Sequence, residues 1–298
     1  MSAPPTLLYF HTGEMPRYLK AALESARFFN PEARLVLITD KRADLSWMRC
    51  EVRDADEFRH PLIAEFDRVY IKIHGSNAYR ARVFMTRWFH VESFLRKERI
   101  GECLYFDSDA LLFHDGAEVF SHAPAGRAMV FGRNGSPAIT MIRETVEPFL
   151  KLMIAGFADP ELIQTWRKKY EASVKIGGMA NLSDMKFLVM LADAQPSVAG
   201  YFANDLPIGH IDNAIFGADG YQARPVRRHP DRKRIFWEDD GTAFLPTLRR
   251  QSDGARVPAL LIHFQNGAKR RIRRFNRVGA DSPLPRSWRL AYYNRILG

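Results

Sequence analysis

LYFDSDALLF, residues 104–113, is the stretch that decides the fold. Its apolar residues predict a buried strand, because a strand of a parallel sheet is covered on both faces. Asp107 and Asp109 stand at the carboxyl end of that strand, where ligands of open α/β sheets bind. Side chains two positions apart on extended backbone point the same way, so both carboxylates can converge on one divalent cation. A solvated turn is the weaker alternative, because an unpaired acid pair is costly at the edge of a core.

A second motif lies near the other end of the chain, in ALLIHFQNGAK, residues 259–269. The strand predicted at 259–262 delivers His263 at its end, where a neutral imidazole nitrogen can join the two carboxylates as a metal ligand. Gly267 allows the backbone to approach a ligand closely, and Lys269 offers a positive charge to a phosphate leaving group. A hydrogen-bonded core histidine is the alternative for His263, and the upstream acid pair favours the metal ligand.

These two motifs resemble those of nucleotide-sugar-dependent glycosyltransferases with the GT-A fold, in which a D-x-D motif follows such a strand. The second motif resembles that of glycosyltransferase family 8, the glycogenin-like enzymes, in which a glycine and a lysine follow the histidine by three and six residues. Here the lysine keeps that spacing, and the glycine follows His263 by four residues. The resemblance implies an α/β fold of the GT-A, Rossmann-like type, with a mostly parallel sheet flanked by helices in a single domain. It also implies Mn²⁺ or Mg²⁺ on the donor diphosphate, held by Asp107, Asp109 and His263.

The resemblance also implies which residues contact the donor. In the family, the ends of the first two strands form the nucleoside pocket, and a basic residue in the helix before the acid pair reaches the diphosphate or the base. The positions implied as donor-binding are His11, Thr12, Asp40, Arg87, Asp107, Ser108, Gly267 and Lys269. From the residues alone, Asp40 can equally cap a turn and Arg87 can equally belong to a surface ion pair.

The candidates for catalysis are Asp184, Asp212 and Lys269. Family 8 enzymes carry an acid at the start of a helix, directed at the transferred sugar, and the resemblance implies that Asp184 is this acid. The alternative is that Asp184 caps the helix, which is the ordinary use of an acid at a helix start. Asp212 lies in residues 209–213, which are interpreted as a polar loop on the acceptor side. The resemblance implies retention at the anomeric carbon without a dedicated base, with Lys269 assisting the leaving diphosphate. An inverting enzyme would instead need a carboxylate base, which Asp184 or Asp212 can supply.

The order of the predicted elements indicates βαβ units and a mostly parallel sheet. The elements are expected at 6–10 (strand), 16–29 (helix), 33–40 (strand), 78–96 (helix), 128–132 (strand) and 138–142 (strand). Cys50 and Cys103 are too few for a disulfide framework or a zinc site, so we expect buried free thiols. We divide the chain into a catalytic domain, residues 1–268, and a basic C-terminal extension, residues 269–298.

The formal charge of +10 is unevenly distributed. Six bases and no acid occur from Lys269 to Arg277, and a second basic cluster spans residues 226–234. Such a surface attracts nucleoside diphosphates, acidic polysaccharide, anionic lipid headgroups or nucleic acid. Because the sequence has no nucleic-acid recognition motif, we expect no nucleic acid partner. We expect peripheral contact with an anionic membrane or a polysaccharide, and a solvated tail helix is the alternative.

The apolar content of 46% in 298 residues is enough to bury a large core. No apolar run approaches the roughly 20 residues of a membrane span. Residues 1–5 lack the basic and apolar regions of a signal peptide. These features predict a cytoplasmic protein, peripheral at the inner membrane face if the basic tail contacts lipid.

The motifs and the resemblance together predict a metal-dependent, hexosyltransferase-like glycosyltransferase. We expect it to move a sugar from a nucleoside diphosphate sugar, in particular a UDP-sugar, to a glycan, a lipid-linked acceptor or a small molecule. A sugar-phosphate nucleotidyltransferase also uses paired acids and a metal. However, this chain has only His11-Thr12-Gly13 where such enzymes have a glycine-rich, lysine-bearing loop. A non-catalytic protein that binds carbohydrate or a polyanion is the third interpretation.

Overall fold

The computed structural model describes residues 4–73, 75, 77–178, 180–224, 231–275 and 286–297. Part of the predicted basic cluster (226–230) and part of the predicted extension (276–285 and 298) lie outside these residues. Within the described part of the chain, no helix combines the length and the apolar character that a bilayer crossing requires.

The described residues form one α/β domain. Its helices are α1 (Arg17–Phe29), α2 (Ile63–Val69), α3 (Ala78–Glu98), α4 (Gly116–Ser121), α5 (Glu147–Ala158), α6 (Pro160–Lys175), α7 (Asp184–Ala194), α8 (Ile272–Phe275) and α9 (Arg286–Tyr292). Its strands are β1 (Thr6–His11), β2 (Leu35–Thr39), β3 (Cys50–Asp54), β4 (Glu102–Phe106), β5 (Ala110–Leu112), β6 (Met129–Gly132), β7 (Ser136–Arg143), β8 (Ala199–Tyr201), β9 (Asp205–Leu206), β10 (Gly209–Asp212), β11 (Phe236–Asp239), β12 (Phe244–Arg249) and β13 (Arg256–His263). The six elements expected from the sequence pattern are all present, and their ends differ from the expected ones by at most two residues.

The larger sheet has seven strands in the order β3-β2-β1-β4-β7-β6-β8. Strands β3, β2, β1 and β4 are parallel, β7 is antiparallel to β4 and β6, and β8 is parallel to β6. The prediction of a mostly parallel sheet flanked by helices is therefore confirmed. A tight turn joins β6 to β7, where Asn134 and Gly135 have φ of 61° and 73°.

Both faces of this sheet are buried, which explains why its strands have continuous apolar sequences. On β1, Leu7 and Tyr9 face a core cluster shared with α1 and the smaller sheet. Leu8 and Phe10 face a second cluster that includes residues of α3, α5 and α7. Cys50 and Cys103 are buried free thiols, as predicted.

The smaller sheet is joined to the larger one at the acid pair. Its strands run in the order β11-β12-β13-β10-β9, and β5 pairs antiparallel with the end of β13. Because β5 follows β4 after only three residues, 107–109, the chain passes from one sheet to the other at this point. The pairing of β5 with β13 places His263 opposite Ala110.

The interpretation of residues 209–213 as a polar loop is wrong. Residues Gly209–Asp212 form β10, a buried strand that is parallel to β13 and antiparallel to β9. The segment is short and rich in residues that rarely form strands, so its sequence gives a weak signal. Backbone pairing with β13 supplies the stabilisation that the local sequence lacks.

The described parts of the predicted C-terminal extension pack against the domain. Lys269 lies in a 3₁₀ segment, Asn266–Arg271, that leads into α8. Ile272 and Phe275 of α8, and Tyr293 after α9, are buried in the same cluster as Leu7.

Candidate active site

Asp107, Asp109 and His263 converge at the join between the two sheets. The two acids follow β4, at the edge of the sheet where the carboxyl ends of the parallel strands meet. His263 is the last residue of β13, and the next backbone amide, that of Phe264, donates to the carbonyl of Asp109 across 2.9 Å. Backbone pairing therefore sets the distance between residues that are 154 positions apart.

These three side chains have the composition and the spacing of a divalent cation site. One ligand atom from each lies within 4.8 Å of the other two. The Nε2 atom of His263 is 3.2 Å from Oδ1 of Asp109 and 3.6 Å from Oδ2 of Asp107. Ligands bound at about 2.1 Å lie roughly 3 Å apart when adjacent and about 4.2 Å apart when opposite, so a small contraction lets all three reach one ion. Carboxylate oxygens suit Mg²⁺ and Mn²⁺, and the imidazole nitrogen adds affinity for transition metals.

Positive charges balance the acid pair. The Nζ atom of Lys269 lies 2.8 Å from Oδ2 of Asp109. Burial raises the pKa of the Asp109 carboxyl, but His263 and Lys269 outweigh burial and hold that pKa at about 2. Burial lowers the pKa of His263, but the two carboxylates outweigh it and raise the pKa to about 9. Burial raises the pKa of Asp107, with Arg87 and His263 opposing the shift.

Arg87 of α3 joins the acid pair to Asp184. Its guanidinium lies 2.6 Å from Oδ1 of Asp107 through Nη1 and 2.6 Å from Oδ2 of Asp184 through Nη2. Arg87 is buried, so the surface ion pair considered from the sequence does not occur. Burial lowers the pKa of Arg87, but Tyr105 and the two carboxylates raise it well above its usual value, so this arginine is a permanent cation.

Asp184 begins α7, and its side chain does not cap that helix. Ser183 is the N-cap residue and makes no side-chain cap hydrogen bond, while Oδ2 of Asp184 accepts from Arg87 and from Trp88 Nε1 at 3.1 Å. The start of α7 sits tightly against the turn at Gly135, where an added Cβ would collide with the carbonyl oxygen of Met185. Trp88 was missed from the sequence, because an indole next to an arginine in an apolar helix looks like ordinary core.

His263 is oriented by the backbone of the turn that follows β10. Its Nδ1 atom lies 2.8 Å from the carbonyl oxygen of Asn213, so Nδ1 donates and Nε2 faces the two acids. This arrangement, in which the second ring nitrogen is held by a backbone carbonyl, is typical of metal-binding histidines.

The structure does not bring Asp212 into this group. Asp212 pairs with Lys233 at 2.9 Å, and each side chain is only 1% exposed. The Lys233 ammonium also donates to the carbonyls of Ala214 and Gly217 and to Asp219, so it holds the whole turn in place. Lys233 was also missed from the sequence, because it lies in a basic cluster that is typical of surface.

The ends of β1 and β2 lie together and close to Lys269. The amide of Gly13 donates to Oδ1 of Asp40 at 2.7 Å, and the Nε2 atom of His11 lies 3.0 Å from the carbonyl oxygen of Glu14. Burial lowers the pKa of His11, the Glu14 carbonyl and Asp40 raise it, and the charge of Lys269 lowers it further. Asp40 therefore ties the loop after β1 to the end of β2, which is the turn-stabilising role left open by the sequence.

A cleft of about 690 Å³ opens on the other side of Asp40. Its walls include Thr39 at the end of β2 and Val52, Arg53 and Asp54 of β3. The volume is in the range of small-molecule sites in proteins.

The remaining predicted residues lie close to the acid pair in the chain or in space. Ser108 is half-buried between the two acids, and Thr12 is half-buried after β1. Gly267 is exposed, and a Cβ added there would meet no protein atom within 4 Å, so no other part of the described chain requires a glycine at this position.

Comparison with known proteins gives weak matches only. No family model and no curated protein matches this chain. Among solved structures, the glycosyltransferase GlyE of Streptococcus pneumoniae TIGR4 is similar over 68% of this chain and 46% of its own, with 15% identity and a TM-score of 0.40. The apo form of mouse xyloside xylosyltransferase 1 is similar over 66% of this chain and 84% of its own, with 13% identity and a TM-score of 0.41.

A third solved structure, the PaToxG glycosyltransferase, is similar over 65% of this chain and 70% of its own, with 12% identity and a TM-score of 0.36. The chain thus spans about half the length of GlyE. At these values the similarity carries no inference about activity, so the basis for a function is the site itself.

Proposed function

We propose that this chain is a metal-dependent glycosyltransferase of the GT-A fold, of the family 8 type. It moves a sugar from a nucleoside diphosphate sugar, in particular a UDP-sugar, to a glycan, a lipid-linked or a small-molecule acceptor. One observation carries the proposal: Asp107, Asp109 and His263 have ligand atoms within 4.8 Å of one another, at the sheet edge where Arg87 and Lys269 lie. Two acids and a histidine would hold the cation, and two positively charged side chains beside them suit a diphosphate.

The cation, Mn²⁺ or Mg²⁺ in this proposal, supplies Lewis-acid stabilisation of the charge that develops on the leaving diphosphate. The residues of the chain do the binding and positioning. Lys269 is partly exposed and is bound to Asp109, so its ammonium can turn from that carboxylate to a phosphate oxygen. Arg87 is held between Asp107 and Asp184, which fixes the acid that faces the donor. His11, Thr12, Asp40, Ser108 and Gly267 are proposed as further donor contacts.

Asp184 is proposed to contact the transferred sugar. Two donors, Arg87 and Trp88, already occupy Oδ2, whereas the hydrogen bond to Oδ1 comes from the backbone amide of Met185. Oδ1 can therefore accept from a sugar hydroxyl without breaking the contact with Arg87.

Retention at the anomeric carbon is part of the proposal. Of the two carboxylates considered as an inverting base, Asp212 is buried against Lys233 and has no access to an acceptor hydroxyl. The burial of Asp212 supports a mechanism with no dedicated base.

The test is a panel of nucleotide sugars incubated with the protein and Mn²⁺, with separate assays for nucleoside diphosphate and for pyrophosphate. We expect nucleoside diphosphate release that a chelator stops and that Asp109→Asn lowers by about 100- to 1000-fold, the usual loss when a group that stabilises the transition state is removed. Asp253→Asn is the matched control, because Asp253 is a half-exposed surface acid that forms an ion pair with nearby Arg250.

Other results of this assay would identify a different function or a different site. Pyrophosphate release would identify a sugar-phosphate nucleotidyltransferase. Tight binding of nucleotide sugar or glycan without turnover would identify a binding protein. Full activity of the folded Asp109→Asn protein would show that the metal assignment is wrong.

A further inference from the structure

The net positive charge of this protein comes from the last part of its sequence. Residues 213–298 carry 18 of the 44 bases and only 7 of the 34 acids, a net charge of +11. Residues 1–212 are therefore almost neutral, with a net charge of −1, although the whole chain is at +10. Charge separated in this way makes one region of a molecule attractive to anionic surfaces.

Helix α9 in this region is fixed to the domain by the segment that follows it, Tyr293–Leu297. The side chain of Asn294 accepts from the backbone amide of Trp237 at 2.8 Å and donates to the carbonyl of the same residue at 3.0 Å, which covers the edge strand β11. The ring of Tyr293 is buried and lies 6.0 Å from that of Trp237 and 5.1 Å from that of Phe244. The helix is thus a docked element, and its outer side has a defined direction.

The outer side of α9 presents two exposed aromatic rings. Trp288 is 69% exposed and Tyr292 is 54% exposed. They are four positions apart, so they lie on the same side of the helix, one turn from each other. Trp47, the other strongly exposed tryptophan at 59%, has the Lys20 ammonium 4.9 Å from its ring, whereas Trp288 has no ring or cation partner among the described residues.

The basic stretch that begins at Lys269 reaches the same ring, Trp237, through Phe275 of α8. Its apolar residues, Ile272 and Phe275, are buried in the core and are not part of a surface. Arg270 and Arg273 remain exposed. Phe275 lies 6.1 Å from Trp237, the same ring that Tyr293 contacts, so α8 and the segment that follows α9 both pack against Trp237.

We propose that Arg270, Arg273 and the exposed side of α9 form a membrane-docking face that binds the surface of an anionic phospholipid bilayer. Exposed arginines are attracted to acidic headgroups, and tryptophan and tyrosine rings favour the boundary between headgroups and acyl chains. Two rings on a short, fixed helix form a ridge that can enter this boundary, whereas single-stranded nucleic acid is bound in a basic groove lined by aromatics. This proposal is independent of the sugar-transfer reaction.

The first test is cosedimentation with vesicles of phosphatidylglycerol and phosphatidylcholine, compared with vesicles of phosphatidylcholine alone. We expect binding to the anionic vesicles only, weakening as salt rises. Changing Arg270 and Arg273 together to Gln should lower the affinity by about thirtyfold, from the usual contribution of each base near an anionic surface. Trp288→Ser together with Tyr292→Ser should lower it on the order of tenfold, because apolar ring area is no longer buried.

Trp47→Ser is the matched control, since it removes an equally exposed tryptophan from another part of the molecule. Thermal unfolding of every variant shows whether it has kept its fold. In a Trp47→Phe background the emission of the remaining exposed tryptophan should shift to shorter wavelength when anionic vesicles are added. No binding to anionic vesicles at low salt, unchanged binding by the Trp288/Tyr292 double variant, or a preference of this face for RNA over vesicles would each overturn the proposal.

Discussion

Raising the pH is expected to strengthen the binding of a divalent cation, because His263 holds a proton that the cation must displace. The Nδ1 atom already donates to Asn213, so the proton that is lost is the one on Nε2, between Asp107 and Asp109. These carboxylates overcome the effect of burial and raise the pKa of His263 to about 9. The protein without metal therefore has a charged imidazole at neutral pH, and the metal complex has a neutral one.

The size of the effect follows from the distance between the pKa and the working pH. Below about pH 9, each pH unit should weaken cation affinity by about tenfold, because one proton competes for the ligand atom. At pH 7 the affinity should be about 100-fold below its limit at high pH, which corresponds to about 2.7 kcal/mol. The direction of the pH dependence follows from this proton. Because it is bound only in the metal-free protein, the affinity for the cation falls as pH falls.

Titration calorimetry with Mn²⁺ or Mg²⁺, in buffers with different heats of ionisation, measures affinity and proton release together. We expect about one proton to be released per cation at pH 7. His263→Gln should bind more weakly and lose the part of the pH dependence that comes from the imidazole. His114→Gln is the control, since the His114 ring pairs with Glu118 at 2.8 Å on the surface. A pH-independent affinity in the natural protein, or an unchanged slope in His263→Gln, would refute the reasoning.

The other predictions concern the acids and lysines of the site and of its support. Asp109→Asn should abolish the metal-dependent part of UDP binding, as measured by calorimetry. It should lower the thermal unfolding temperature by no more than a few degrees. A UDP affinity equal to that of the natural protein would contradict this prediction. Lys269→Ala should lower kcat while the affinity for Mn²⁺ stays the same or rises, since the lysine competes for Asp109; equal losses in both would exclude its role at the leaving group. Lys233→Met should lower the free energy of unfolding in urea by about 3–5 kcal/mol, because it leaves Asp212 buried without a partner. Adding Asp212→Leu should restore most of that loss, and a double variant no more stable than Lys233→Met would mean that the ion pair is not the cause.

The sequence was sufficient to predict that Asp107, Asp109 and His263 lie together. Each follows an apolar strand, and strand ends in such sheets collect at one edge, so local pattern and general topology led to the same place. Arg87 was implied by the family resemblance, although its buried position between two acids was not. Strand ends and helix faces are local properties, and a sequence carries them directly.

The support of the site could not be predicted in the same way. Asp212 lies in a segment that was interpreted as a loop, and Lys233 lies in a basic cluster that is typical of surface. Only tertiary packing shows that the two residues are buried and paired. The stretch after Lys269 was expected to be an exposed surface because arginine dominates its composition. Ile272 and Phe275, three positions apart, were the signal that one side of it enters the core.

The join of β5 to β13 has a consequence for how the protein is made. Strands β1 to β4 are synthesised in the first 106 residues and can begin to pair early, whereas the partner of β5 lies near the other end of the chain. Closing so long a loop costs chain entropy that is recovered only when the smaller sheet assembles. Until then Asp107 and Asp109 have neither His263 nor Lys269 beside them, and their mutual repulsion opposes burial of the turn that holds them. The partly synthesised chain therefore has two acids at the edge of its first sheet without these two partners. A cation that binds there afterwards connects the first-made and last-made parts of the molecule.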